Sequence, residues 1–144
     1  MSLAMKRVER EAFLAETRVA VVSIPESGRG PLTVPVWHIY APGGVVRFVT
    51  GDASRKARLV RTAGRMSLCV QEESPPYRYV SVEGPVDIGR PDFERDIRAT
   101  ALRYLGAQMG EIYLQATSGD REGAVLISLR PERWLSVDYR NWVG

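Results

Sequence analysis

The sequence has little of several residue types that mark common classes of protein. Its 144 residues include one cysteine and one histidine. A single cysteine cannot form an internal disulfide, so a reducing, cytoplasmic setting is expected. A lone histidine with no cysteine or acidic cluster around it does not predict a metal site. No apolar run approaches the roughly 18 residues that a membrane-spanning helix needs, so no membrane association is expected.

The beginning of the chain lacks the apolar core of a secretory signal, because acidic residues interrupt residues 1–16. Residues 1–5 are expected to be a cloning remnant or disordered, with Met5 as the natural start. The length suits one domain, and an apolar content of 44% is enough for a hydrophobic core. The sequence therefore predicts a single domain over residues 1–144.

What the chain does have is a succession of short β-branched runs separated by turn residues. They predict six strands, over 18–24, 32–40, 45–50, 65–72, 77–88 and 124–138, the last bent at Pro131. Helical periodicity predicts helices over 6–17, from about 54 to 62, and over 91–106, where Gly106 ends the last one. Residues 111–116 are ambiguous. Strands in hairpin succession favour an antiparallel sheet, and a small barrel removes its exposed edges.

A row of cations begins directly after the third predicted strand. Residues 52–65 contain one acid, Asp52, and five cations: Arg55, Lys56, Arg58, Arg61 and Arg65. Ser54 stands where a helix N-cap would, so the first cations meet the positive end of the helix dipole. That arrangement suits a helix N-terminus that binds a phosphate. The alternative is a solvated basic helix face, and the cations alone do not decide between the two.

Nucleic acid is not an expected partner. The net charge is only +3, and the cations over residues 55–65 are not interleaved with aromatic side chains on which bases stack.

Three stretches in this order resemble the pyridoxamine 5′-phosphate oxidase-like superfamily. They are FVTGDASRKA at 48–57, GRMSLCV at 64–70 and YVSVEGPVDI at 79–88. The resemblance covers most of residues 17–90. It implies a mainly β fold with α-helices: a six-stranded antiparallel split β-barrel of the FMN-binding type. It also implies a homodimer with a cofactor groove at the interface.

The resemblance also implies a set of cofactor-binding residues. Val49 and Thr50 would run beside the cofactor, and Ser54, Arg55 and Lys56 would hold its phosphate. From the second predicted strand, the segment Pro35, Val36 and Trp37 would lie along the ring by backbone contact and stacking.

Two cofactors fit the family, FMN and its deazaflavin relative F420. The FMN oxidase of vitamin B6 metabolism adds a C-terminal segment with an Arg and a Trp. Arg140 and Trp142 are present here in another arrangement, so vitamin B6 oxidation is not expected. Phrases such as SRKARLVR and SPPYRYVSVEG look more like short F420-dependent proteins of this class. Arg61 and its neighbours beyond Lys56 suit the polyglutamate tail of F420, although FMN would fit the same row.

The expected function is therefore F420-dependent hydride transfer to an electron-poor small molecule. The alternatives are an FMN-dependent oxidase or reductase and a non-catalytic flavin or heme carrier. His38, Tyr77, Tyr79 and Trp134 are candidates for the substrate pocket, each with ordinary packing as the alternative. No residue is assigned a catalytic role, and the proton donor is open between solvent, Tyr77 and Tyr79. Gly84 is expected to mark a β-bulge.

Overall fold

The computed structural model describes residues 2–142, which form mainly strands, with three α-helices. The strands are β1 Val19–Ile24, β2 Leu32–Trp37, β3 Ile39–Tyr40, β4 Val46–Gly51, β5 Arg65–Gln71, β6 Arg78–Gly89, β7 Ala124–Leu129 and β8 Arg133–Asp138. The helices are α1 Arg7–Ala15, α2 Arg55–Ala63 and α3 Ala99–Ala116. A π-helical segment, Phe93–Arg98, precedes α3, and 3-10 segments occupy Ser118–Gly123 and Tyr139–Asn141.

All paired strands are antiparallel and form one sheet in the order β2-β1-β5-β6-β7-β4-β3, with β8 also paired to β6. The strands at the two ends of this order, β2 and β3, are consecutive in the chain and only His38 separates them. The sheet therefore curls back to the segment from which it starts. The predicted class, a mainly β antiparallel barrel with α-helices, is confirmed.

The number of strands differs from the prediction because two predicted strands are each divided. The run 32–40 breaks at His38 into β2 and β3, which pair with different neighbours. The run 124–138 breaks at residues 130–132 into β7 and β8. Both of these pair with the long strand β6, β8 along its first half and β7 along its second. The part of the chain that the structure describes thus contains eight strands rather than six.

Gly84 lies where the connection between β7 and β8 crosses β6. A Cβ atom at this position would sit 1.9 Å from the carbonyl oxygen of Arg130. The backbone N–H of Glu132 donates to the carbonyl of Glu83 at 2.9 Å, which holds the crossing segment against the strand. The pairing of β5 and β6 runs without interruption through Met66 and Gly84. On the other edge of β6, the three residues 130–132 lie opposite the two residues 84–85, so the extra residue of the irregularity expected at Gly84 belongs to the crossing segment. Glycine is required at position 84 because the backbone of β6 and that of the crossing segment approach each other too closely for a Cβ atom.

The core fills the inside of the curled sheet. Alternate residues of β1 are buried, which is the pattern of a strand with one face in the core and one towards solvent. The largest fully buried side chains include Phe48, Leu14, Ile24, Leu68 and Ile127. Each side chain of this size contributes about 1.5–3 kcal/mol when it leaves water, so the sheet and α1 are held together mainly by apolar burial.

Of the first five residues, which were expected to be a cloning remnant or disordered, residues 3–5 are packed against the domain. Met5 is 7% exposed and its backbone N–H donates to Ser136 Oγ at 2.9 Å. The backbone N–H of Asp138 donates to the carbonyl of Leu3 at 2.8 Å. Residues 3–5 therefore pack along β8 as part of the domain. Met1 lies outside the described residues.

The helices follow the sequence pattern with one extension. Predicted helices 6–17 and 54–62 correspond to α1 and α2. Gly106, with φ 82° and ψ 174°, leaves the helical conformation as predicted, but a second helical segment continues over 107–116. The ambiguous stretch 111–116 is therefore helical. No helix within residues 2–142 is both long and apolar enough to cross a membrane.

Candidate cofactor cleft

A cleft of about 620 Å³ opens between the curled sheet and the helices that follow β6. Strand residues form one wall, the start of α2 contributes a lysine, and helical residues form the opposite wall. The side chains and backbone that line it are those of Val19, Pro35, Val36, Trp37, Val49, Thr50, Gly51, Lys56, Asp96, Ile97, Thr100, Ala101, Tyr113, Thr117, Asp120, Arg121 and Ala124.

The strand wall comes from β2 and β4. It contains Pro35, Val36 and Trp37 from one strand and Val49 and Thr50 from the other. All five are among the residues that the family resemblance assigns to a cofactor. The wall is mostly apolar, as is usual where a planar ring must be held by contact rather than by charge.

The N-terminus of α2 meets the end of β4. Ser54 is the N-cap of α2, and its Oγ accepts a hydrogen bond from the backbone N–H of Ala57 at 3.1 Å. Thr50 Oγ1 donates to Ser54 Oγ at 3.2 Å, which ties the cap to the strand. Lys56 lines the cleft and forms no ion pair with any acid of residues 2–142. A capped helix start with an uncompensated lysine is suited to an anion.

The other cations of the row are mostly paired with acids. Arg55 forms an ion pair with Glu26, and Arg61 forms one with Asp52. The hydrogen bond from Arg55, together with that charge, lowers the pKa of Glu26. Neither Arg55 nor Arg61 lines the cleft.

Arg65 is also engaged, since its Nη2 lies 3.0 Å from an oxygen of Glu132. Of the row, Lys56 is thus the cation that the structure brings to the cleft wall.

The helical wall was missed by sequence reasoning. Ile97 comes from the π-helical segment before α3, Thr100 and Ala101 from the start of α3, and Tyr113 from its second half. The helical spacing of 91–106 places Ile97 and Ala101 on one side of a helix. Tyr113 falls in the stretch whose pattern was ambiguous. The signal present in the sequence was one aromatic and one hydroxyl, Tyr113 and Thr117, four residues apart.

Trp37 is held in the cleft by two tyrosines. Its indole stacks on the ring of Tyr104, with 5.3 Å between centroids and an interplanar angle of 6°. The Tyr113 ring lies 5.6 Å away at 55°. The Tyr104 hydroxyl donates to the carbonyl of Arg18 at 2.7 Å and accepts from the backbone N–H of His38 at 3.1 Å. Tyr104 of helix α3 thereby holds the backbone at His38, where the predicted strand 32–40 divides into β2 and β3.

His38 does not line the cleft, contrary to expectation. The side chain is completely buried. Its Nε2 lies 2.9 Å from the carbonyl oxygen of Leu14, which can only accept, so Nε2 carries a proton. Nδ1 lies 3.2 Å from the Tyr104 hydroxyl. Burial lowers the pKa of His38, and the nearby charges of Arg103 and Arg18 lower it further. His38 is a core histidine that joins α1, α3 and the barrel.

The remaining substrate-pocket candidates also lie away from the cleft of this chain. Tyr77 is 50% exposed and Tyr79 is half-buried on β6. The Trp134 ring packs edge-on against Tyr40 at 6.2 Å, and the guanidinium of Arg10 covers it at 4.7 Å. Trp134 is thus a packed residue within its own chain.

Asp96 is the most buried charge in the cleft wall, at 1% exposure. Its carboxylate accepts from Arg47 Nε at 3.1 Å and from Arg95 Nη2 at 2.9 Å. Burial raises the pKa of this carboxyl, but the hydrogen bonds from Arg95 and the Asp92 backbone outweigh burial and the net pKa is lowered. Asp96 is therefore an ionised structural residue whose charge is already compensated.

No group of three or more histidine, cysteine or acidic side chains converges into a metal-binding cluster within the described residues. Cys69 is free and half-buried, and burial raises its pKa, which favours the unreactive thiol.

The sequence model of the family described as pyridoxamine 5′-phosphate oxidase matches residues 6–138. No curated protein matches the sequence.

Several solved structures share the fold. A conserved hypothetical protein from Mycobacterium tuberculosis superposes with a TM-score of 0.79 at 21% identity, covering 96% of this chain and 88% of the other. A protein called F420 reductase gives 0.63 at 21% identity, covering 87% and 94%. A FAD-binding protein from Mesorhizobium loti gives 0.65 at 16% identity, covering 92% of each chain. At such identities the similarity establishes the fold alone, which is the split barrel expected from the sequence.

Proposed function

The chain belongs to the pyridoxamine 5′-phosphate oxidase family, and from that premise we propose that it is an F420-dependent oxidoreductase. Family membership indicates an oxidoreductase with a flavin-type cofactor. The proposal adds the identity of the cofactor, F420, and the acceptor of the hydride, an electron-poor small molecule with an activated C=C or C=N bond.

One observation carries the proposal: residues assigned by resemblance and separated in sequence line a single cleft. Pro35, Val36 and Trp37 meet Val49, Thr50 and Lys56 there. A volume of about 620 Å³ is in the range of cofactor sites. The apolar strand wall fits a flat ring, and the uncompensated Lys56 at a helix N-terminus fits a phosphate. The residues present therefore suit the cofactor.

The preference for F420 over FMN rests on the cations further along α2. Arg58 is exposed and has no acid partner among residues 2–142. Arg61 and Asp52 are 45% and 59% exposed, and such solvated pairs contribute little, so Arg61 can exchange its partner at small cost. A carboxylate-rich tail that leaves the phosphate site along α2 would meet both arginines.

The residues of the chain bind and orient rather than react. When bound, reduced F420 supplies the hydride. Lys56 and the first backbone N–H groups of α2 would hold the phosphodiester. Trp37, fixed by its stack on Tyr104, would hold the ring by apolar contact. Tyr77 and Tyr79 do not line this cleft, and no proton donor is assigned.

We also propose that two chains associate over the cleft. Val19, which lines it, is 52% exposed, and Met109 and Ile112 on the second half of α3 are 61% and 62% exposed. A second copy would cover these apolar side chains and enclose the ring. Sedimentation at micromolar concentration is expected to give a dimer. A monomer would contradict the enclosed groove. The free Cys69 is compatible with the cytoplasmic setting proposed for this enzyme.

Turnover is tested by mixing the protein with reduced F420 and a panel of activated alkenes and imines, and by following reoxidation of the cofactor spectroscopically. Catalysed reoxidation that depends on the acceptor is expected, and Lys56→Ala should lose it at limiting cofactor. Arg133→Ala, an exposed arginine on β8 outside the cleft, is the matched control. Binding of reduced F420 without acceptor-dependent reoxidation by any member of the panel would make the protein a carrier.

A further inference from the structure

A second cavity of about 630 Å³ adjoins the cofactor cleft. Arg90 and Phe93, which follow β6, line it together with Glu122. Ile97, Arg121 and Ala124 line both cavities. The two cavities therefore meet at these three residues, whereas Lys56 lines the cofactor cleft and not the second cavity.

Arg121 stands at the junction with its charge uncompensated. Its guanidinium lies 4.3 Å above the centre of the Phe93 ring, and Nη2 donates to the carbonyl of Leu114 at 2.9 Å. Its buried Nε has no hydrogen-bond partner. No acid in the described residues forms an ion pair with Arg121, although Asp120 and Glu122 are its neighbours in sequence.

Two properties together distinguish Arg121 from the other arginines of this region: it forms no ion pair within the described residues, and it lines both cavities. Arg90, which forms no ion pair within the described residues either, lines only the second cavity. Arg47 and Arg95 both donate to the buried carboxylate of Asp96, so their charges are balanced within the protein. Arg10, Arg78 and Arg103 also stack on aromatic rings with an unpartnered Nε. None of those three lines the cleft or the second cavity. Arg121 alone combines a fixed guanidinium with access to both spaces.

A guanidinium fixed by stacking and by one backbone hydrogen bond retains donors for an oxyanion. Such a group binds carboxylate or phosphate more strongly than a mobile surface arginine, because little side-chain freedom is lost on binding. Phe93 and Ile97 supply apolar contact for the carbon skeleton of the ligand.

We propose that Arg121 binds the anionic group of the substrate, which is a small organic acid occupying the second cavity and reaching past Ile97 and Ala124 towards the ring site. This assignment rests on the proposed function. In this proposal the two cations bind different ligands. Lys56 binds the phosphodiester of the cofactor, and Arg121 binds the oxyanion of the substrate.

The test is a calorimetric titration of the F420-saturated protein with three probes of similar shape: benzoate, phenyl phosphate and benzyl alcohol. Benzoate or phenyl phosphate is expected to bind, and the better of the two identifies the oxyanion as carboxylate or phosphate. Benzyl alcohol should bind at least about tenfold more weakly, since it lacks the charged hydrogen bonds. Equal binding of all three, or binding of none, would overturn the proposal.

Variants then assign the site. Arg121→Gln is expected to weaken binding of the anionic probe about tenfold or more, Arg121→Lys less so, and Arg133→Gln not at all. Thermal unfolding of each variant checks that it is folded, and Arg121→Lys keeps the test valid if the glutamine variant is not. The affinity for F420 should be unchanged in both Arg121 variants. Loss of F420 affinity would move Arg121 into the cofactor site and refute the division. A wild-type protein that binds no F420 would refute the proposed function instead.

Discussion

His38 offers a test of the packing that holds Trp37, because it is the only histidine in the chain. The imidazole is completely buried, donates from Nε2 to the carbonyl of Leu14, and has its pKa lowered from 6.5, chiefly by burial. The folded protein therefore keeps His38 neutral at a pH at which the unfolded chain has begun to bind a proton there. Protonation then favours the unfolded state.

The sign and the size of the effect follow from this difference in protonation. Stability from neutral His38 is fully present above the unfolded pKa near 6.5 and is lost as the pH falls from there towards the lowered folded pKa. The slope of the unfolding free energy approaches at most about 1.4 kcal/mol per pH unit in this window. The carboxyls with shifted pKa values, which include Asp96 and Asp138, are shifted downward, so they titrate below the window.

Urea unfolding between about pH 5 and pH 7 measures the slope. The wild type is expected to lose stability as the pH falls below about 6.5, while His38→Gln, which cannot be protonated, should show a flatter profile over the same range. A wild-type free energy that stays level, or rises, as the pH falls would refute the argument. It would mean that the folded protein holds imidazolium, with Nδ1 donating to the Tyr104 hydroxyl.

Three further substitutions probe the cleft and its supports. Lys56→Ala should weaken F420 binding about tenfold to 100-fold through loss of a charged hydrogen bond, with the unfolding midpoint unchanged. Unchanged affinity would remove Lys56 from the phosphate site, and Arg133→Ala is the control. Gly84→Ala should destabilise by at least about 1–3 kcal/mol, because its Cβ would sit 1.9 Å from the Arg130 oxygen; normal urea stability would contradict that close approach. Tyr104→Phe keeps the ring but removes the buried hydroxyl, and a loss of about 1–3 kcal/mol is expected in urea unfolding; an unchanged midpoint would contradict its role.

Local sequence patterns predicted much of the fold because strand alternation and helix capping depend on residues that are close together in the chain. Alternating burial in β1 and the Ser54 cap of α2 are properties of short stretches, and the structure has both where the sequence indicates them. The division of two strands was not predictable in this way. The run 32–40 is rich in β-branched and aromatic residues. Only tertiary pairing shows that its two parts lie at opposite ends of the sheet order.

The candidate site divides along the same line. Val49, Thr50 and Lys56 come from the stretch 48–57, which carries the resemblance to the family, and Pro35, Val36 and Trp37 lie within the residues 17–90 that the resemblance covers. Tyr113 and Arg121 come from a region without such a motif, brought to the cleft by the bend at Gly106. His38 was predicted to lie in the site, but the structure places it in the core. A polar residue in a strand suggests chemistry, but its burial is set by Leu14 and Tyr104, which are distant in sequence.

The central claim, that this cleft binds F420, is tested most directly by titrating the apo protein with F420 and with FMN while following tryptophan fluorescence. Trp37 lines the cleft, so Trp37→Phe separates its signal from those of Trp134 and Trp142. The account predicts saturable quenching by F420 at lower concentration than by FMN, and loss of most of that quenching in Trp37→Phe. Tighter binding of FMN would make the protein a flavin enzyme or carrier and return the arginines beyond Lys56 to a solvated helix face. Binding of neither would contradict the claim and leave only the barrel fold.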